Sequence, residues 1–373
     1  MAEHIPAEAF PPGEYLAEEL AARGWSQTDF AEIIGRTPNQ VSQLIGGKRA
    51  ITPEVAKDLA AALDTSPLFW LNLEAAYRLH EDQTRPSPVI RRRAALRSRF
   101  PVTLLLKRGW IEPAKDIGTL EERVLAFYRL STLEAEPAFR CAARRTQAQE
   151  PLTSVQLAWL FRVRQLAEAM GVPAFDERRL RQELPRLRQF LFEPEGVEQV
   201  APLLTSCGVR FVIVEHIPAS KIDGVCFWLD SGSPVIGMSL RLDRIDNFWF
   251  VLAHELAHVL YRHAKEEAIV DTEVELASDS DEDERIANQF AADFCVPAAA
   301  MRDFLLRNQP MFRQEQVLNF ARYMHLHPGL VIGQIQRHTG RWELLRPLLV
   351  KVRHLVVKTA LTDGYGQMIG AAV

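Results

Sequence analysis

Hydrophobic and polar positions follow two different patterns along the chain, and the change comes just past its middle. Through 13–80 and again through 90–195, apolar residues recur every three or four positions, which predicts short amphipathic helices. The run over 154–170 shows this period most clearly. Beyond it, short runs rich in β-branched and aromatic residues predict strands. These runs are 209–214, 224–229 and 234–240. Helical periodicity returns over 247–337.

This pattern predicts a mainly α protein with a small mixed β-sheet. A chain of 373 residues is long enough for two or three domains, each with a full-sized core. We expect an all-α helix-turn-helix head over 1–82 and a basic linker with a helical connector over 83–195. An α+β domain follows over 196–345, and a C-terminal tail over 346–373.

Composition agrees with an ordinary globular protein, at 47% hydrophobic and 25% charged residues. The N-terminus lacks the pattern of a signal peptide, and no apolar run approaches the roughly 20 residues that a membrane-spanning helix needs. The four cysteines are scattered, which is typical of buried thiols in a reducing compartment. We therefore expect a cytoplasmic protein without membrane contact.

Charge is unevenly distributed around the net value of −4. The stretch 85–108 holds eight Lys or Arg and no acid, and the prolines near its start favour a linker. The stretch 271–284 holds eight acids and no base, and its first part predicts an exposed loop. The basic stretch could contact phosphate, pair with the acidic loop or simply be solvated.

The motif that carries chemistry is H-E-x-x-H, formed by His254, Glu255 and His258 in a strongly apolar run. Positions four apart on a helix differ by about 40°, so both imidazoles project from one face. That spacing suits two nitrogen ligands of one Zn²⁺ ion. Glu255, one step round the helix, would act as general base on the zinc-bound water.

A third ligand is expected from the amphipathic helix that the sequence predicts near 283–294. Glu284 would complete the coordination of the metal by two histidines and one glutamate, leaving the fourth position for water. Asn288, one turn further, would hold the other nitrogen of a ligand imidazole. Asp283 is the competing ligand by position.

Two further candidates each have a plain structural alternative, and a nearby histidine is expected to lie away from the site. Tyr261, one turn beyond His258, could stabilise an oxyanion or simply pack. His263 is expected on the opposite, exposed face of the helix. The predicted strand 234–240 could align an extended peptide by β-addition or serve as a core strand.

The predicted helices and strands resemble the zincin arrangement, and more narrowly the ImmA/IrrE family of metallopeptidases. The resemblance covers roughly 200–340, and its matching stretches are 250–258, 284–292 and 296–297. It implies a zinc peptidase that cleaves a repressor-type regulator, often on a stress or phage-related signal, and it supports Glu284 as third ligand. The family often has an acidic residue where Ile286 stands, and this departure removes a rival ligand.

The sequence of the head predicts short helices separated by turns, with an outward face suited to DNA. Ser26 with an acid three residues later predicts one helix start, and Thr37 followed by Pro38 predicts the next. Amides on the following helix, flanked by basic side chains, suit base-edge hydrogen bonds with phosphate anchoring. The predicted DNA contacts are Gln27, Arg36, Thr37, Asn39, Gln40, Gln43, Lys48 and Arg49.

The alternative for the head is a helical bundle with ordinary polar exposure, since 1–80 holds six bases and eleven acids. The sequence nevertheless resembles the Xre-type helix-turn-helix of HigA-like antitoxins over the whole head. The matching stretches are 12–20, 26–27, 41–49, 51–52 and 65–73. The resemblance implies a homodimer on palindromic operator DNA, commonly that of its own promoter.

The segment 313–337 repeats the residue intervals of the head's helix pair. Five residues of each pair have the same spacing. In the head they are Phe30, Ala31, Pro38, Val41 and Ile45, and in the second segment they are Phe320, Ala321, Pro328, Val331 and Ile335. A second helix pair is therefore predicted. Its outward positions are glycines, which read bases poorly, so packing beside the peptidase domain is favoured over DNA binding.

Two functional hypotheses follow from these predictions. In the first, the chain is a DNA-binding regulator whose zinc peptidase cleaves a repressor-type protein or the chain itself, at the linker 85–99. In the second, it is a non-enzymatic, antitoxin-like repressor that binds operator DNA and a toxin, with a structural or sensory zinc. The water-activating Glu255 favours the first, because a structural zinc site needs no general base.

Overall fold

The computed structural model divides the chain into two compact units, Met1–Arg91 and Arg92–Val373. The residues that the structure describes are 10–82, 87–137, 139, 141–142, 152–263, 268–272, 282–367 and 369–370. Most of the predicted acidic loop, 273–281, and the linker residues 83–86 lie outside this set. No helix within the described ranges is long and apolar enough to span a membrane.

The first unit consists of short helices around one core, as its hydrophobic period predicts. They are α1 (Pro12–Arg23), α2 (Gln27–Ile33), α3 (Pro38–Ile45), α4 (Pro53–Leu63) and α5 (Pro67–Glu81). Ser26 and Thr37 each form a capping box with the residue three positions later, so the predicted starts of α2 and α3 are confirmed. Phe30, Leu59 and Trp70 are fully buried at the centre.

The second unit combines helices with a mixed sheet. Its helices are α6 (Pro88–Arg99), α7 (Val102–Lys107), α8 (Ile117–Tyr128), α9 (Ser154–Ala169), α10 (Glu177–Gln189), α11 (Val200–Ser206), α12 (Ile245–Tyr261), α13 (Glu282–Cys295), α14 (Ala298–Asn308), α15 (Gln314–Tyr323), α16 (Pro328–Thr339) and α17 (Arg353–Val356). Its strands are β1 (Cys141–Ala142), β2 (Arg210–Val214), β3 (Ile222–Trp228), β4 (Pro234–Met238), β5 (Ala268–Thr272) and β6 (Leu361–Asp363). The predicted class, mainly α with a small mixed sheet, is confirmed.

Among the described residues, the strands follow the order β1-β5-β3-β4-β2-β6. β3 is antiparallel to both β4 and β5, whereas β2 is parallel to both β4 and β6. β4 therefore has a paired neighbour on each side. An extended peptide cannot add to it, so of the two interpretations of 234–240 the structure supports the core strand.

Helices cover both faces of this sheet, because its strands are apolar on both faces. Along β2, Phe211 and Ile213 join the core that contains α12, whereas Val212 and Val214 join the core that contains α8 and α9. A strand that is apolar at every position needs cover on both sides. The predicted boundary at 195 therefore falls inside a compact unit, since the connector supplies one of the two covering layers.

The C-terminal tail belongs to the same unit. β6 pairs with β2, and Asp363 at its end forms a fully buried ion pair with Arg162 of α9. The indole Nε1 of Trp110 donates to the same carboxylate at 2.9 Å. The boundary predicted at 345 also falls inside the unit, because the final strand completes the sheet.

The basic stretch that begins at 85 is helical from Pro88 onward, as α6. The Arg92 guanidinium lies 2.8 Å from the Glu121 carboxylate, and that of Arg108 lies 2.6 Å from the carboxylate of Glu215. Both pairs lie within Arg92–Val373, so these two arginines of the basic stretch are paired inside the second unit. A peptidase binds its substrate as an extended chain. A cut within 88–99 would therefore require α6 to unwind.

The predicted second helix pair is present as α15 and α16. Gly329 and Gly333 face the start of α12, where a Cβ at Gly333 would lie 2.5 Å from Asp246 Oδ2 and one at Gly329 would lie 2.6 Å from Ile245 Cγ2. The face of α16 that would meet DNA in a helix-turn-helix is thus packed against the second unit's own core. The prediction of a packing role is confirmed.

Candidate metal centre and DNA-binding surface

Helix α12 carries the H-E-x-x-H motif through the centre of the second unit. His254, Glu255 and His258 are each 0% exposed, and their neighbours Leu252 and Leu256 are also fully buried. The burial follows from the composition of the helix, which is apolar around nearly its whole circumference. Both imidazoles therefore lie in a site shielded from bulk water.

Helix α13 brings Glu284 to the two histidines. The Nε2 atoms of His254 and His258 are 3.0 Å apart, and the Glu284 carboxylate lies 3.3 Å from the first and 3.6 Å from the second. Neighbouring ligand atoms of a tetrahedral zinc site with bonds of 2.0–2.1 Å are about 3.3 Å apart. The two imidazoles and the carboxylate thus match zinc in donor chemistry and in spacing, with all ligand atoms within 4.8 Å of one another.

Glu255 occupies a space that a glycine of the sheet leaves open. A Cβ at Gly224 of β3 would lie 2.0 Å from Glu255 Oε1 and 2.9 Å from Val251 Cγ1. Any larger residue at this position would displace the carboxylate. Sequence reasoning missed Gly224, although a glycine inside a strand pattern is a signal of close approach.

The structure corrects the expectation for His263. α12 ends at Tyr261, and Arg262 takes a left-handed conformation with φ of 59°. The His263 amide then donates to the His258 carbonyl at 3.1 Å, which closes a Schellman turn. Helical periodicity does not extend past such a turn. The His263 side chain, 10% exposed, lies 3.3 Å from Nδ1 of His258 instead of on an exposed face.

The remaining candidates lie around the metal-binding group. The Asp283 carboxylate, the rival ligand, lies 3.6 Å from His263 Nε2 and is not among the three grouped side chains. Asn288 has a buried Oδ1 without a hydrogen-bond partner among the described residues. Tyr261 is 47% exposed and stacks on the His263 ring, with centroids 5.6 Å apart, which agrees with a packing role.

In the head, the predicted DNA contacts divide into exposed and engaged side chains. Gln27, Asn39 and Lys48 are exposed, and Gln43 and Arg49 are partly exposed. Thr37 and Gln40 cap α3 reciprocally, because the Thr37 amide donates to Gln40 Oε1 and the Gln40 amide donates to the Thr37 hydroxyl. These caps fix the start of the helix that presents Asn39.

Arg36 differs from the other predicted contacts because its guanidinium forms ion pairs with acidic side chains of the head. Its guanidinium lies 2.5 Å from the Asp58 carboxylate and 3.3 Å from that of Glu54, with only 12% of the side chain exposed. The hydrogen bond to Asp58 raises the pKa of Arg36. The arginine therefore joins the turn between α2 and α3 to α4.

Two family profiles match the chain, one in each unit. The profile described as "Helix-turn-helix" matches 16–70, and the peptidase profile described as "IrrE N-terminal-like domain" matches 209–328. The second match contains the three grouped side chains and Glu255. Each match coincides with the region in which the sequence predicted that resemblance.

Relatives of known sequence are similar to this chain over about 70 residues. The uncharacterised helix-turn-helix transcriptional regulator YddM of Escherichia coli is 39% identical over 70 residues, which are 19% of this chain and 74% of that protein. Antitoxin HigA-1 of Vibrio cholerae is 42% identical over 74 residues, which are 20% and 70% of the two chains.

A solved structure of a HigA-family addiction module antidote protein from Coxiella burnetii is 33% identical, covering 21% of this chain and 98% of its own, with a TM-score of 0.19. The chain belongs to the helix-turn-helix regulators that include YddM and HigA-1, and it carries an IrrE N-terminal-like domain of a peptidase family on the same polypeptide.

Proposed function

We propose that this chain is a DNA-binding transcriptional regulator whose second unit is a zinc-dependent endopeptidase. It would cleave a repressor-type protein or the chain itself and thereby switch transcription. The observation that carries the proposal is the buried group of His254, His258 and Glu284, with Glu255 on the same helix. The peptidase part in this proposal is 92–373, because the connector and the tail share its cores.

In this mechanism His254, His258 and Glu284 would hold Zn²⁺, which would supply Lewis-acid chemistry to the site. Glu255 would take a proton from the attacking water as the water oxygen bonds to the carbonyl carbon of the peptide. It would then deliver that proton to the amine that leaves when the C–N bond breaks. Gly224 leaves room for that carboxylate on the sheet side, because a Cβ there would lie 2.0 Å from Glu255 Oε1. Burial of all these groups excludes bulk water and strengthens the electrostatic interactions of the site.

The head would bring this chemistry to an operator. As in the resemblance to HigA-like antitoxins, we propose a homodimer that reads a palindromic site through the exposed face of α3. Asn39 and Gln43 would contact base edges, and Lys48 and Arg49 would contact phosphate. Thr37 and Gln40, already paired with each other, would chiefly fix the helix start.

Self-cleavage is the narrower form of this proposal. Its predicted site at 85–99 is mostly helix α6, so a cut there competes with the stability of that helix. Another repressor-type protein, with an extended segment to offer, meets no such cost. We therefore favour cleavage of a separate protein over cleavage of α6.

Glu255→Gln tests the peptidase directly. Cells that express wild type, Glu255→Gln or the matched control Glu315→Gln are compared by proteomics; Glu315 is an exposed residue of α15. A regulator should appear shortened with wild type and the control and remain intact with Glu255→Gln. Because Glu255 is not a proposed ligand, the purified Gln variant should keep full zinc content. Intact proteins in all three samples would reject the peptidase.

The second candidate is a non-enzymatic, antitoxin-like repressor, which the 42% identity to HigA-1 favours. It predicts a chain that binds zinc, operator DNA and a toxin but cleaves no protein. In that case Glu255→Gln and wild type would regulate the same promoter equally. A difference in promoter activity between the two would favour the peptidase.

A further inference from the structure

His258, a proposed zinc ligand, has a second histidine on the far side of its ring. Nδ1 of His258 lies 3.3 Å from Nδ1 of His263, whereas its Nε2 faces His254 and Glu284. On the other side of His263, Nε2 lies 3.6 Å from the carboxylate of Asp283. These side chains form a line that ends at a carboxylate with 30% exposure.

The chemistry of a ligand imidazole fixes the protons along this line. To bind a metal through Nε2, His258 must carry its proton on Nδ1 and donate it. The facing Nδ1 of His263 must then accept, which leaves the His263 proton on Nε2. That N–H points toward Asp283, an acceptor. Every group along the line thus has a role compatible with its neighbour.

The fold brings these residues together from two helices. The Schellman turn at the end of α12 returns His263 toward His258, and the first turn of α13 carries both Asp283 and Glu284. Consecutive residues of α13 therefore reach His258 from opposite sides of its ring, Glu284 at Nε2 and Asp283 through His263. This arrangement ties the two helices together around the ligand.

We propose that His263 and Asp283 are positioning residues that hold His258 in the tautomer and orientation needed for Zn²⁺. The inference rests on the proposed zinc site and adds to it a function for two residues outside the ligand set. Partners of this kind around a ligand histidine typically contribute about 10–100-fold to metal affinity.

We call the line from His258 through His263 to Asp283 the relay. It is tested by the zinc affinity of the full chain, which is measured by competition with a chromogenic chelator. His263→Ala should bind zinc about 10–100-fold more weakly than wild type. His263→Asn, whose amide oxygen can accept from His258, should recover most of that loss. His354→Ala, an exposed histidine of α17, is the matched control and should bind like wild type.

A double-mutant cycle separates a relay from two independent effects. Asp283→Ala should also weaken zinc binding, but adding it to His263→Ala should cause little further loss, because the line is already broken. Additive losses would overturn the relay, as would wild-type affinity in His263→Ala. Thermal unfolding of each metal-free variant identifies misfolding, and if His263→Ala misfolds, the His263→Asn and Asp283→Ala affinities decide.

The same measurements distinguish failure of the relay from failure of the zinc site. Wild type should bind one Zn²⁺ per chain, and His254→Ala should abolish this binding. If wild type binds no zinc, the proposed function fails and the relay fails with it. If wild type binds zinc and His263→Ala binds it equally well, only the relay is rejected.

Discussion

The helix pair α2–α3 in the head and the helix pair α15–α16 in the second unit share their residue intervals but not their surroundings. In each pair a Phe-Ala dipeptide precedes a proline by the same distance, and the buried aliphatic residues follow at equal spacing. Even the caps correspond, because Thr37 and His327 each accept a hydrogen bond from a backbone amide at the helix start. The shared intervals therefore specify the same local structure.

The two pairs differ at the positions that point away from their own core. Asn39 and Gln43 of α3 correspond to Gly329 and Gly333 of α16. The amides remain available for a ligand, whereas the glycines let α16 approach the start of α12. The comparison teaches that side-chain size at two positions decides whether such a pair faces a ligand or packs inside a domain.

The largest expected effect comes from giving α16 the residue of its twin. Gly333→Gln introduces a Cβ that would lie 2.5 Å from Asp246 Oδ2 and 2.7 Å from Asp246 Cβ, so the helices must separate. We expect the free energy of unfolding of the second unit to fall by about 3 kcal/mol. Denaturant unfolding measures the change. The reciprocal Gln43→Gly should cost the first unit only about 0.5–1 kcal/mol, and equal costs would contradict the comparison.

An intermediate effect is expected from removing a side chain of the exposed face. Asn39→Ala should weaken binding to a DNA duplex selected by the wild-type chain by about tenfold, the effect of one lost base contact. Fluorescence anisotropy at constant salt measures the affinity. Binding to random duplex should hardly change, whereas Lys48→Ala should weaken both in parallel. An Asn39→Ala variant that loses affinity for both duplexes equally would assign this residue to phosphate instead.

The smallest effect distinguishes the two caps. Burial lowers the pKa of His327, while Thr37 does not titrate. A histidine whose pKa is lower in the folded state stabilises the fold fully above its unfolded pKa, near 6.5, and loses that contribution as pH falls below it. The Tm of the second unit should therefore decrease with acidification, and His327→Asn should reduce the decrease by about 2 °C.

Burial also lowers the pKa of His216. Part of the decrease of Tm with acidification should therefore remain in both wild type and His327→Asn. The head should lack the contribution of a capping histidine at any pH. Identical pH profiles of Tm in wild type and His327→Asn would show that the cap does not titrate in this range.

Features encoded over a few consecutive residues could be predicted from the sequence. The starts of α2 and α3 follow from capping residues, and the shared face of His254 and His258 follows from helical geometry. The amphipathic period of α13 also indicated which of its residues points inward, and the structure brings Glu284 to the two histidines. Each of these depends on one helix at a time.

Features that depend on where distant segments meet could not be predicted in this way. The position of His263 depends on the left-handed backbone conformation of Arg262. The local sequence does not predict this conformation, because the residue is not a glycine. The fit between Gly224 and Glu255 requires knowledge that β3 lies against α12. The two-sided burial of β2 was visible in its unbroken apolar run, yet the sequence did not indicate that α9 covers it.

Because strand β6 lies near the end of the second unit, that unit can complete its fold only late in synthesis. The first unit, Met1–Arg91, precedes the second unit along the chain. The sheet behind the H-E-x-x-H helix lacks its last strand, and Arg162 lacks its buried carboxylate partner, until Asp363 has been made. Because domains generally fold in order of emergence, the helix-turn-helix unit should fold on the nascent chain before the IrrE-like unit does.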